Sequence, residues 1–500
     1  MIPEGRPYLD FMSEMRSLSF KYEKPLSDLS TTKRLWNAAL RISAISHHPA
    51  VIDESEAAEL DDFPARIRRW LCGAKIQPTV VFKELTSLNV SELNRLIDST
   101  DTYLDQKLRQ IHGGICFFID KVDQAVRHLS RDAWIAVQAG LIEAAWETMS
   151  ANNHLKIFAS IRQEAFTNYQ SDIKANLFAA TTNLNYSEEE LQALLDQLAR
   201  CYEGCRSFQD FLGLNVVRHG RRPAPEDSFE YVRRHTCGRP RDLVAIASEI
   251  SSKRSSLSET RLREIVRQTS SMVVVSNIFD EVRVFLNCLG NREARLRFLA
   301  RIPSNILEKP LAIRVCEEFN GLEAGTLEHF GEDSGDIFHP FRDLYFAGLL
   351  GVVEYDPELG ITVQRFRRPD DSLTHSTTDM PDSPVFLIHP ALETFVRSQH
   401  TRTPFLQFQH VPVGENLLWQ SYFPTLMQIE MQLPKIQDQQ HVDLVHQVVK
   451  RMQGLLNAGK TPFARVEIEA SEAWKVLHEQ DGNDAYGETL LWLNELLEEL

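Results

Sequence analysis

The stretch Ile115-Cys-Phe-Phe-Ile-Asp120-Lys-Val-Asp123 closes a short apolar run on two carboxylates three residues apart. A carboxylate at the C-terminal end of a buried strand can hold a magnesium ion beside phosphate oxygens, directly or through water. A second acid just beyond it can orient a water. Asp120 and Asp123 are the candidates for those two roles. The same pattern also ends ordinary buried strands in a polar turn, so the pair needs company before it means chemistry. A second short run, Leu155-Lys-Ile-Phe-Ala-Ser160-Ile-Arg162, ends on a hydroxyl and a guanidinium that could sense a phosphate. A third segment, Cys237-Gly238-Arg239-Pro240-Arg241-Asp242-Leu243, sets a Gly-x-Pro turn between helical stretches and carries two arginines. The planar, permanently charged fork of arginine suits phosphate oxygens.

These segments need strands and helices to hold them. Residues 113–120 are short, apolar and rich in aromatic and β-branched side chains after a glycine pair, which predicts a strand buried on both faces. A helix follows, containing Trp134 and the stretch 136–146, and then a second strand over 155–162. Strand, helix and strand in that order predict a βαβ unit in a parallel sheet. Upstream, Leu35, Ala38, Ala39, Ile42 and Ile45 form an apolar stripe, so 32–46 is a helix with Pro49 after it. Charged amphipathic helices fill 50–110, one of them starting with Ser91 as N-cap. A short strand is expected at 7–12.

Downstream, Ser187-Glu-Glu-Glu190 reads as a capping box, with its helix running to about 202. The loop 214–226 carries Arg218, Arg221 and Arg222 as a solvated surface. Helices are expected at 228–235, 241–249 and through 255–325, including 281–289 and 291–300. A helix at 341–350 leads into strands at 351–355, 361–366 and 385–390. Helix followed by a β-wing suits a winged-helix module. Residues 401–500 are helical again, most clearly at 442–456 and 489–500.

Composition bounds the rest. At 500 residues the chain should hold two to four domains, and 43% hydrophobic with 25% charged residues is a globular balance, not a disordered one. The formal net charge of −16 argues against broad coating of nucleic acid. Seven cysteines are scattered; Cys201 and Cys205 are close but lack a second ligand pair, so a zinc site is only weakly supported. The odd number and apolar surroundings predict buried, reduced thiols. His47-His48-Pro49 has no acidic or Cys neighbour at ligand spacing. No signal peptide and no apolar run near the roughly 18 residues of a membrane span are visible, so a cytoplasmic protein without membrane contact is expected.

In order and spacing, the three chemistry-bearing segments resemble those of bacterial STAND-like, AAA+-related P-loop ATPases: a Walker-B-like strand, a sensor strand and a Gly-x-Pro lid. The winged-helix-like module follows where that class often carries one, and the resemblance covers roughly residues 1–395. It implies an α/β fold plus mostly α regions. A parallel-sheet P-loop-like core lacking its first strand and loop would occupy 1–213. A helical lid with linker helices would follow over 214–330, the winged-helix module over 331–400 and a C-terminal helical region over 401–500. It further implies ATP and Mg2+ as cofactors, with the metal on Asp120. Asp123 and Arg162 would join Asp120 in catalysis, and Ser160, Arg239 and Arg241 would contact the nucleotide. The activity implied is an ATP-dependent switch that changes assembly state.

The chain departs from that family in one respect. Residues 1–114 contain no Gly-x-x-x-x-Gly-Lys-Ser/Thr loop, whose amides and lysine would cradle the phosphates. The string Gly454-Leu-Leu-Asn-Ala-Gly459-Lys460-Thr461 matches the letters, but it follows a helix, precedes Pro462 and lies downstream of the carboxylates. It reads as a helix C-terminal turn. Weak or no hydrolysis by this chain alone is therefore expected. Two alternatives stand beside this reading. One is a winged-helix regulator binding DNA through Arg365, Arg367 and Arg368. The other is a scaffold that recruits a protein partner or self-associates within a bacterial defence or signalling system.

Overall fold

The computed structural model describes residues 23–52, 56, 60, 63–218, 226–253, 257–326, 339–356, 361–367, 380–381, 383–399, 412–415, 417–419, 423–458, 463–498 and 500. The chain divides into two compact units, one formed by residues 1–185 with 369–377 and the other by 186–368 with 378–500. The architecture is mixed α/β and mostly helical, with small sheets.

In the first unit the elements that matter are α1 (Leu29–Ser46), α2 (Val90–Arg109), β1 (Ile115–Ile119), α3 (Arg131–Ala151) and β2 (Leu155–Ala159). Helix α1 starts where the Asp28 carboxylate accepts the amide of Thr31 at 2.8 Å, and it buries Leu35, Trp36, Ala39, Ile42 and Ile45. Helix α2 starts earlier than expected. Its N-cap is Asn89, whose side chain and Glu92 form a reciprocal capping box, which leaves Ser91 inside the first turn. Helices α1 and α3 pack closely because α3 offers Gly140: a Cβ there would lie 2.6 Å from Thr32 Oγ1 and 2.8 Å from the Lys33 amide nitrogen. Two polar side chains of α1 find partners across this seam. The Thr32 hydroxyl donates to the Ala136 carbonyl at 2.9 Å, and the Trp36 indole N–H to the Val137 carbonyl at 2.9 Å.

Strands β1 and β2 pair in parallel, Ile115 opposite Leu155 through Ile119 opposite Ala159, with α3 in the connection between them. The βαβ expectation holds at this level. The expectation of burial on both faces does not. Phe117, Ile119, Leu155 and Ile157 are buried, whereas Cys116, Phe118, Lys156 and Phe158 are exposed. An apolar run of this length cannot distinguish one buried face from two, because aromatic rings occupy both.

The second unit opens with α4 (Glu188–Leu198), α5 (Ser228–Arg233), α6 (Pro240–Ser252) and α7 (Glu259–Thr269), which share a core of Leu191, Leu195, Phe229, Val232, Ile246 and Ile265. The capping box at Ser187 and Glu190 is present. Next come α8 (Val275–Glu281), α9 (Arg292–Leu299), β3 (Ile306–Glu308), α10 (Lys309–Asn320), α11 (Pro340–Phe346), β4 (Leu350–Asp356), β5 (Ile361–Phe366), β6 (Val385–Ile388) and α12 (Pro390–Gln399). Their antiparallel sheet runs β3-β6-β4-β5. The last helices, α13 (Phe423–Gln432), α14 (Gln439–Ala458) and α15 (Gly487–Glu498), pack around Ile429, Val448, Met452, Trp474 and Leu493.

Several expectations change here. The helix foreseen at 281–289 stops at Glu281, because the buried Asp343 carboxylate draws the chain aside: it accepts the amides of Asn287, Cys288 and Leu289 at 3.0, 2.7 and 2.7 Å. The helix foreseen to 350 ends at Phe346, and Gly348 takes φ +72°, where a Cβ would meet the Arg367 carbonyl oxygen at 2.8 Å. Strand β3 lies in a stretch read as helical. Cys72, Cys116 and Cys201 are exposed, although all seven thiols are free. No helix among the described residues is long and apolar enough to cross a membrane. The strand expected at 7–12, Arg221, Arg222, Arg368 and the Gly459–Thr461 turn lie outside the described residues.

His389, at the junction of β6 and α12, gives the second unit a pH signature. Its ring is buried edge-on to Phe366, and its Nδ1 accepts the Ala391 amide at 3.1 Å. Burial, helped by the charge of Arg234, lowers its pKa to about 3. Protonation would set a donor against the Ala391 donor. As the folded pKa lies below the unfolded one, the unfolded state binds the proton first, and stability is lost as pH falls from about 6.5 towards 3. Glu393, raised by burial, acts in the opposite direction, so the comparison must be with a variant. Denaturant unfolding at neutral pH and near pH 5 should show a smaller acid-induced loss in His389→Gln than in the wild type. An equal loss in both would remove His389 as the cause.

Candidate functional site

Parallel strands end at the same edge of their sheet, so the residues that follow β1 and β2 become neighbours. The Ser160 amide donates to the Ile119 carbonyl at 2.9 Å, carrying the register one step past the strands. The Ser160 hydroxyl then donates to Asp120 Oδ1 at 2.5 Å. The same oxygen accepts the Lys121 amide at 2.8 Å. Lys121 is the one non-glycine residue with positive φ among the described residues, at φ 60° and ψ 22°. This left-handed turn folds the chain back on the carboxylate and starts the short helix Val122–Ala125. Two donors thus fix the exposed Asp120 through one oxygen, Oδ1.

Helix α3 positions the other two first-unit candidates. Asp123 lies in Val122–Ala125, and its carbonyl accepts the Trp134 indole N–H at 3.1 Å. The Arg162 amide donates to Gln138 Oε1 at 3.1 Å, and its guanidinium pairs with Glu164 at 3.2 Å. Gln138 is buried in the middle of α3, where its Nε2 also donates to the Trp134 carbonyl at 3.0 Å. Gln138 belongs to none of the three chemistry-bearing segments of the sequence. Its signal was a lone amide among Ala136, Val137 and Ala139, where a buried polar group requires partners.

No protein-family model, curated protein or solved structure matches this chain.

The site can therefore be judged only by its own chemistry. Among the described residues no group of three or more His, Cys, Asp or Glu side chains could hold a metal ion. Asp120 could supply one carboxylate oxygen. That fits a magnesium ion carried largely by phosphate oxygens and water, and it does not fit a zinc or calcium cage.

Arg239 and Arg241 lie in the second unit and have carboxylate partners there. Arg239 pairs with Asp242 at 2.7 Å and with Glu281 at 2.6 Å, and Arg241 pairs with the same Glu281 oxygen at 2.7 Å. Gly238 makes the turn at φ +64°. Burial would push the Arg239 guanidinium down, but Asp242 and Glu281 hold it above its usual pKa. Burial pushes the neighbouring Cys237 thiol up to about 12, so it is no nucleophile. These ion pairs tie α6 to the end of α8. The arginines at the end of β5 are also engaged: Arg365 with Glu354 at 2.7 Å, and Arg367 with the Phe346 carbonyl at 3.1 Å and over its ring at 4.3 Å.

Lys121 gives a test of the turn that holds Asp120. A β-branched side chain suits a left-handed backbone poorly, whereas glycine adopts it freely. Lys121→Val should cost more than about 1 kcal/mol, and Lys121→Gly should stay within about 1 kcal/mol of the wild type. Urea midpoints measure both, and equal loss in the two variants would contradict the turn.

Proposed function

We propose that this chain is a nucleotide-linked molecular switch or scaffold of the STAND-like P-loop ATPase type, with weak or no ATP hydrolysis on its own. One observation carries the reading. A carboxylate and a hydroxyl sit side by side at the C-terminal ends of two parallel strands with a helix in the connection between them. That edge of a parallel sheet is where such folds bind ligands.

Each residue has a role that its contacts support. Ser160 and the Lys121 amide hold one Asp120 oxygen, and the other would take a cation. Bound magnesium would neutralise phosphate charge there. Asp123, with its backbone anchored by Trp134, would orient a water, and Arg162, with its amide anchored by Gln138, would sense the phosphate. Hydrolysis needs positioning and charge neutralisation together, and the 500 residues contain no glycine-rich loop with its lysine ahead of Asp120. Within the second unit, Arg239 and Arg241 would meet a phosphate only if it displaced Glu281. The engaged wing arginines favour protein contacts over DNA for the second unit.

Titration calorimetry of the full chain with ATP, with and without magnesium, tests the proposal. Binding should require magnesium and weaken at least about tenfold, or ~1.4 kcal/mol, in Asp120→Ala. Absence of binding in both conditions would sink the nucleotide reading. Rapid hydrolysis lost in Asp120→Ala would overturn the expectation of a weak or inactive site.

A further inference from the structure

The outer face of the β1–β2 pair is not spent on the core of its unit, and it is patterned. Alternate residues of each strand point to it. From the N-terminal end its rungs are Cys116 beside Lys156, Phe118 beside Phe158, and Asp120 beside Ser160. The two rings stack at 5.0 Å with their planes 8° apart, yet Phe118 is 67% and Phe158 57% exposed. Parallel sheets ordinarily cover both faces, and leaving two phenyl rings in water forgoes their apolar burial. One step before Lys156, exposed His154 lies against the His112 ring at 5.9 Å.

The face therefore runs from a lysine, through stacked aromatic rings, to a carboxylate. That order is complementary to itself. A two-fold axis through the middle rung brings ring pair against ring pair, and sets the Lys156 end of one copy against the Asp120 end of the other. A partner of a single charge sign would match one end and oppose the other. We propose that a second copy of this chain covers the face, the strands of the two copies running antiparallel across the contact. Such an isologous contact closes at two copies. Strands of this length span about 17 Å, so the strand pair by itself covers well under the roughly 800 Å² per partner of a stable complex. The dimer is therefore weak and concentration-dependent. It does not rest on nucleotide binding.

Sedimentation of the full chain from about 1 to about 200 μM, at low and high salt, tests this. The weight-average mass should rise towards a dimer with concentration and fall back with salt. Phe118→Ser combined with Phe158→Ser should leave a monomer, with circular dichroism confirming the fold. Lys156→Glu should weaken association at least about tenfold, and adding Asp120→Lys should restore it. A monomer throughout would overturn the proposal, as would association that survives the double serine variant. A folded charge-swap variant that stays monomeric would overturn the antiparallel arrangement.

Discussion

The arrangement of the first unit depends on how closely α1 can lie against α3. Gly140 is what permits it, since any side chain there would strike Thr32 and the backbone of Lys33. Thr32 and Trp36 then reach carbonyl groups of α3 that a wider seam would leave unmet. Fixed in this way, α3 anchors three things. It lies in the connection from β1 to β2. Trp134 pins the turn that carries Asp123, and Gln138 pins the amide of Arg162. The arrangement of the residues after the two strands is thus tied to the seam of α1 and α3.

The strand pair explains why Asp120 is held by neighbours and not by burial. On an exposed edge no packing restrains a carboxylate's rotamer. The Lys121 amide and the Ser160 hydroxyl supply that restraint, at the expense of one left-handed residue. Lys121 is the one non-glycine residue with positive φ among the described residues.

The second unit uses its buried charges differently. Asp343 collects three amides, and Glu281 collects two guanidinium groups. Both stop the chain from continuing as helix or tie one helix to the next. The arginines of the Gly-x-Pro turn, which suit phosphate by type, therefore have structural work in this arrangement.

Local pattern was enough for the parts of this fold that depend on neighbours in sequence. The helical stripe of α1, the capping box at Ser187, the two short strands and their helical connection all follow from periodicity and capping chemistry, and so did the candidates Asp120 and Ser160. Other features answer to residues far away along the chain. The helix break after Glu281 is set by Asp343, and the turn at Gly348 by the carbonyl of Arg367. Strand β3 is three residues long and exists because β6 pairs with it. Which face of β1 is bare, and which carboxylate each arginine finds, are likewise decided by packing. The sequence by itself determined which residues can do chemistry and which segments are regular. Only the tertiary structure decided which of them meet, because a hydrogen bond or ion pair between distant residues leaves no trace in the local pattern of either.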